Sequence, residues 1–117
     1  MYLVYLIIYT DRLPAHANGC ANAFIIRIRP GHKDDRGLLE HEKVHIRQWW
    51  RTLGLHSLLY LLSKRYRLWA EVRAYRRQLE YSPEHLDLYA TWLSLPEPEG
   101  YGLQTICTKE RARELLA

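Results

Sequence analysis

Five consecutive residues concentrate the chemistry of this chain: His41-Glu42-Lys43-Val44-His45. Histidines four apart lie on one face of a helix, one turn apart. Their neutral nitrogens can share one zinc ion at about 2.0–2.1 Å. Glu42 follows the first histidine and leans over the same edge of the helix. A carboxylate there can take a proton from a metal-activated water, which is the general-base role in hydrolytic zinc sites. With six His and nine Glu in 117 residues, shuffling yields H-E-x-x-H about 0.02 times, so the pattern is not incidental.

A hydrolytic zinc site needs a third protein ligand. A third histidine in the same run is excluded, because position 48 is Gln and position 51 is Arg. That leaves a downstream carboxylate from another helix, or His56. Glu71 lies 26 residues after His45, within Trp69-Ala70-Glu71-Val72-Arg73-Ala74-Tyr75. A helix, a connector and an antiparallel helix would return position 71 to positions 41 and 45. A glutamate with Leu68 and Val72 beside it needs a partner or must point to water; a metal is such a partner. Glu80, His56 and Asp87 are the alternatives, each with a solvated-surface reading.

These residues need elements to position them. Residues 2–9 read as a strand of Val, Ile and Tyr, and 11–22 as a loop rich in turn formers. Residues 23–29 read as strand two, where Ile26 and Ile28 alternate with Arg27 and Arg29. Asp34-Asp35 offers an N-cap for a helix over about 38–53, with Gly54 as its stop. A short apolar helix over 55–62 follows. Ser63 can cap the next helix, which runs to about Tyr81, although the two can also form one bent helix. Ser82-Pro83-Glu84 starts a helix to about Leu95, and Pro96-Glu97-Pro98-Glu99-Gly100 breaks it. Thr108 with Glu110 opens a last helix to Leu116. Strands followed by four to five helices give an α+β arrangement, expected as a single domain over 1–117.

Composition sets the outer bounds. Hydrophobic residues make up 48% and charged residues 26%, an ordinary globular balance. The net charge of +4 and the arginines around 64–77 read as a solvated helix face. No nucleic-acid motif accompanies them, and no nucleic-acid partner is expected. The apolar N-terminus is too short to span a bilayer and lacks the features of a signal peptide, so no membrane partner is expected. Cys20 and Cys107 form no C-x-x-C pair and read as reduced thiols of a cytoplasmic protein. A monomer is expected. A Cys20 thiolate in the open position of a metal is a conceivable latch; a buried free cysteine is the simpler reading.

The stretch Leu38-Leu39-Glu40-His41-Glu42-Lys43-Val44-His45-Ile46-Arg47-Gln48-Trp49, followed by Glu71-x-x-Ala74-Tyr75, resembles the gluzincin metallopeptidases. It is most similar to their smallest forms, the minigluzincins and small phage or bacterial metallopeptidase domains. The resemblance covers roughly residues 22–80. It implies a zincin-like fold in which the helix of the two histidines faces the helix of the glutamate. It implies His41, His45 and Glu71 as ligands of one zinc ion and Glu42 as the base of an endopeptidase-like hydrolase acting on protein or peptide. It further implies that strand two borders the cleft and takes substrate by β-addition. Larger, membrane-linked gluzincins carry an acidic residue where this chain has Tyr75, so support for the ligands comes from elsewhere or from the tyrosine hydroxyl. The oxyanion donor is open among Tyr66, Tyr75, Tyr81, Tyr101 and His56. Two other readings stand beside this one: a catalytically silent or latent zinc-binding domain of the same fold, and a metal-free basic surface-binding protein.

Overall fold

A computed structural model describes residues 3–117 and gives a small α+β arrangement of a three-stranded sheet and five α-helices. Strand β1 spans Leu6–Tyr9, β2 Gly19–Asn22 and β3 Ile25–Ile28. Their order is β1-β3-β2. β1 runs parallel to β3, with Leu6 opposite Ile25 and Tyr9 opposite Ile28, and β2 runs antiparallel to β3, with Gly19 opposite Ile28.

The sheet differs from the expected pair of strands in three ways. The strand read over 2–9 contracts to Leu6–Tyr9; Tyr2 lies outside the described residues. The last four residues of the loop read over 11–22 form β2. The strand read over 23–29 contracts to β3, because Ala23 takes a positive φ of 54° and turns the chain ahead of it. The expected alternation is present within β3: Ile26 and Ile28 are buried, while Arg27 donates to Asn22 and to the Arg12 carbonyl. Arg29 donates to the carbonyls of Ala17 and Pro14 and pairs with Asp11, which holds the loop ahead of β2 against the sheet.

Helix α1, Arg36–Arg51, starts at Asp35, whose carboxylate accepts from the Leu38 amide. It ends in two successive left-handed residues, Leu53 (φ 53°) and Gly54 (φ 88°). Helix α2 covers His56–Leu62 and α3 Lys64–Leu79. They are separate helices: Ser63 between them is extended, and its hydroxyl caps α3 by accepting from the Tyr66 amide. Pro83–His85 forms a 3-10 turn that leads into α4, Leu86–Ser94. Thr108 caps α5, Lys109–Leu116.

α1 and α3 lie antiparallel, since Gly37 near the start of α1 meets Gln78 and Tyr81 at the end of α3, while Gln48 reaches Ala70. Small residues allow the approach. Ala70 and Ala74 are fully buried, and a Cβ at Gly37 would come within 3.2 Å of Tyr81 and 3.3 Å of Gln78. Two apolar clusters flank this pair. One joins Ile26 and Ile28 of the sheet to Ile46 of α1; the other gathers Tyr75 of α3 with Tyr89, Leu93, Leu103, Cys107 and Leu116. The polar side chains of α1 and α3 are thereby held between two cores.

Candidate metal centre

His41, Glu42 and His45 project from α1, and Glu71 projects from α3 opposite them; all four are buried. The Nε2 atoms of His41 and His45 each lie 3.2 Å from the same oxygen, Glu71 Oε1. The three ligand atoms fall within 4.8 Å of one another. Four ligands placed tetrahedrally at about 2.0–2.1 Å from zinc are about 3.3 Å apart, so the histidine–glutamate spacings suit such an ion. Two imidazole nitrogens and one carboxylate are also a donor set that zinc accepts while keeping a fourth position open.

Each of these three side chains has its own setting. His45 Nδ1 is 2.9 Å from Gln48 Oε1, and Gln48 Nε2 donates to the Ala70 carbonyl at 3.2 Å. A carbonyl can only accept, so the amide is oriented and Nδ1 must carry the hydrogen. That leaves Nε2, which faces Glu71, as the nitrogen that could bind a metal. The other oxygen of Glu71 accepts from the Tyr60 hydroxyl of α2 at 2.5 Å. His41 has a looser setting: its ring packs edge-on against Tyr75 at 4.4 Å between centroids, and its buried Nδ1 has no partner. The Tyr75 hydroxyl bonds to Tyr101 and to neither histidine, so the support for His45 comes from Gln48.

The charges follow from burial and pairing. Burial alone would lower the pKa of His45, but the Glu71 carboxylate outweighs it and raises the value to about 9. Burial would raise Glu71, and the two histidines, His45 foremost, hold it well below the usual carboxylate range. In the metal-free protein the pair is therefore imidazolium and carboxylate, with His45 donating from both nitrogens. Glu42 is pushed up by burial, opposed by His41 and His45. Burial and the nearby His45 lower His56 to about 4, so it is neutral.

Beside His41 and Glu42 opens a cavity of about 660 Å³, lined by Gly19, Leu38, Tyr75, Trp92, Pro98 and Tyr101 among others. Gly19 brings the edge strand β2 close to the acid: a Cβ there would sit 3.3 Å from Glu42 Oε2 and 3.2 Å from Leu38 Cδ1. The strand bordering the cleft is thus β2. The one expected there from residues 23–29 became β3, which is the central strand with both edges paired. An extended segment cannot add to it.

The other sequence candidates lie apart from the ligand atoms. Glu80 is exposed and pairs with Arg77. Asp87 is exposed and pairs with Lys109 and Arg113 of α5. His56 lies near His45, with ring centroids 5.8 Å apart, but its Nδ1 bonds the Tyr66 hydroxyl at 2.7 Å. Tyr81 packs beside Gly37 and Arg77. Of the tyrosines weighed as oxyanion donors, Tyr75 and Tyr101 line the cavity with His41 and Glu42. Cys20 donates to Asn22 and contacts Arg27; burial and then Glu42 raise its pKa, which keeps it a thiol outside the ligand group. Cys20 and Cys107 are not bonded to each other.

Sequence reasoning missed Gln48 and Tyr60. Both carried a signal. Gln48 is three residues after His45, on the same side of α1, and Tyr60 is four after His56, on the same side of α2. No protein-family model, curated protein or solved structure matches the chain.

Proposed function

We propose that the protein is a zinc-dependent metallopeptidase with a zincin-like fold, holding one zinc ion on His41, His45 and Glu71 and using Glu42 as general base. The observation that carries the reading is the shared oxygen: two histidine Nε2 atoms from α1, each 3.2 Å from Glu71 Oε1 of α3. A site built only to brace the fold has no use for a further buried carboxylate beside it. Glu42 nevertheless lines the cavity next to His41, where a substrate would enter.

Bound there, zinc supplies Lewis-acid activation of a water and of the scissile carbonyl. The chain's residues do the rest. Glu42 takes the proton of the attacking water and later gives it to the leaving amine. Gln48 fixes the tautomer of His45, and Tyr60 fixes the rotation of the Glu71 carboxylate. Tyr75 and Tyr101 reach the cavity as a bonded hydroxyl pair, which makes one of them the candidate donor to the developing oxyanion. The free edge of β2 lies beside Glu42 and can bind an extended peptide by main-chain hydrogen bonds.

The test is hydrolysis of a peptide library by the wild-type protein and by Glu42→Gln, with zinc measured in both. A peptidase loses turnover by about a hundredfold or more in the variant and keeps its metal. A silent zinc-binding domain keeps the metal and cleaves nothing in either form, which would sink the proposal.

A further inference from the structure

Helix α2 is turned inside out. Two of its three polar residues face the protein, Ser57 being exposed: His56 is only 9% exposed, and Tyr60 reaches the Glu71 carboxylate. Its leucines face solvent, with Leu58 at 54%, Leu61 at 70% and Leu62 at 73% exposure. A helix on the surface of a water-soluble domain normally shows the reverse. The turn ahead of it extends the pattern. Leu53 has a φ of 53°, a conformation that bulky side chains rarely adopt, and is 91% exposed. Leu55 is exposed as well. Six leucines between 53 and 62 thus form an uncovered patch of the kind that marks an interaction site. It continues through Gly54, which sits over Trp49, to the exposed Trp50, whose indole donates to the Val4 carbonyl.

Along the chain the charge beside the patch has one sign, with Glu97 the acidic partner that Arg67 meets from outside the segment. From Lys43 to Ala70 there is no acidic residue, and there are six basic ones: Lys43, Arg47, Arg51, Lys64, Arg65 and Arg67. Arg51 closes α1 two residues before Leu53, and Lys64 opens α3 two residues after Leu62. Arg47, Arg51, Lys64 and Arg65 form no ion pair among the described residues. Arg47 and Arg51 also line a groove between α1 and α3 with Arg73, Arg76, the exposed Trp69 and one acidic residue, Glu80, which pairs with Arg77.

We propose that the outer face of α2, with the Leu53 turn before it and the basic residues at both ends, seats the protein on an anionic lipid surface. Leucines entering the acyl boundary, tryptophans at the headgroup level and unpaired cations beside them are the three components of interfacial binding. Seven residues of α2 reach only about 10 Å, and no helix among the described residues is long and apolar enough to cross a membrane, so the helix lies in the surface plane. A nucleic acid would satisfy the arginines and leave the leucines in water. A second copy would satisfy the leucines and bring the cations toward one another. Of the three, a negatively charged lipid surface satisfies both. This proposal departs from the expectation of no membrane partner and is independent of any catalytic activity.

The test is co-sedimentation with phosphatidylcholine vesicles and with mixed phosphatidylcholine–phosphatidylglycerol vesicles. The full chain should bind the mixed vesicles at least about tenfold more tightly, and salt should weaken that binding. The triple exchange Leu58→Ser, Leu61→Ser, Leu62→Ser should lower it by at least about tenfold without shifting the melting temperature. The pair Arg51→Glu and Lys64→Glu should lower it similarly. Should the triple variant fail to fold, Leu62→Arg and the charge pair carry the test. Equal binding of both vesicle types, or binding unchanged by the leucine exchanges, overturns the proposal. So does a protein that ignores vesicles and instead dimerises through these leucines, or one that binds only single-stranded DNA.

Discussion

Gln48 bridges the two helices of the site. Its Oε1 accepts from His45 Nδ1 at 2.9 Å, and its Nε2 donates to the Ala70 carbonyl of α3 at 3.2 Å. One buried amide therefore fixes the tautomer of His45, a proposed ligand on α1, and ties α1 to the helix that brings Glu71. Gln48→Leu removes both bonds at nearly constant volume. Zinc affinity, measured by competition with a chelator, should fall by about ten- to a hundredfold. A variant with wild-type affinity would show that His45 needs no such orientation.

Tyr60 acts on the other arm. Its hydroxyl is the donor to Glu71 Oε2, and Tyr60→Phe leaves that oxygen buried and without it. Loss of the donor should destabilise the metal-free protein by about 1–3 kcal/mol in urea unfolding. The midpoint of zinc binding should weaken in the same variant, because the carboxylate is free to rotate. An unchanged unfolding midpoint would contradict the role.

The pKa values of the pair give a signed dependence on pH. His45 is raised from 6.5 to about 9 in the folded, metal-free protein, so its contribution to stability is complete below about pH 6.5 and is lost as pH rises through 9. Glu71 is depressed, so its contribution is present above about pH 4.5 and is lost on acidification. Melting temperatures of the metal-free protein should therefore decline between pH 6.5 and 9. Zinc needs the neutral imidazole, so its binding should release about one proton near neutral pH and tighten as pH rises over the same window. Calorimetric titrations in buffers of different ionisation enthalpy count that proton. A metal-free melting temperature that rises from pH 6.5 to 9 would be inconsistent with the ion pair.

Gly19 offers a way to test the proposed base apart from the proposed metal site. A side chain there meets Glu42 Oε2 and Leu38 at 3.2–3.3 Å. Gly19→Val should displace the Glu42 carboxylate and cut kcat by at least about tenfold while zinc remains at full stoichiometry. Equal kcat in variant and wild type would place the reacting water elsewhere.

Much of this site was legible because its signals are local. Asp35, Ser63 and Thr108 cap their helices through their own side chains, as their positions before apolar periodic runs suggest. The spacing of His41 and His45 determines their shared face, and the apolar setting of Glu71 marked it as a residue in need of a partner. What was not legible depends on pairing across the fold. Gly19-Cys20-Ala21-Asn22 contains no β-branched residue, and it becomes a strand because β3 presents it with a free edge. The same pairing moves β3 to the centre and gives the cleft to β2. The orientation of α2 was hidden too: a run of leucines reads as core, while the burial of His56 and the contact of Tyr60 with Glu71 show that the face carrying them points inward.

Zinc stoichiometry tests the centre most directly. Protein purified without added chelator should carry one zinc per chain by plasma emission spectrometry, and Glu71→Ala, like His41→Ala, should carry about a tenth of that or less after dialysis. Wild-type protein devoid of zinc, or full retention of zinc by Glu71→Ala, would contradict a metal centre formed by His41, His45 and Glu71.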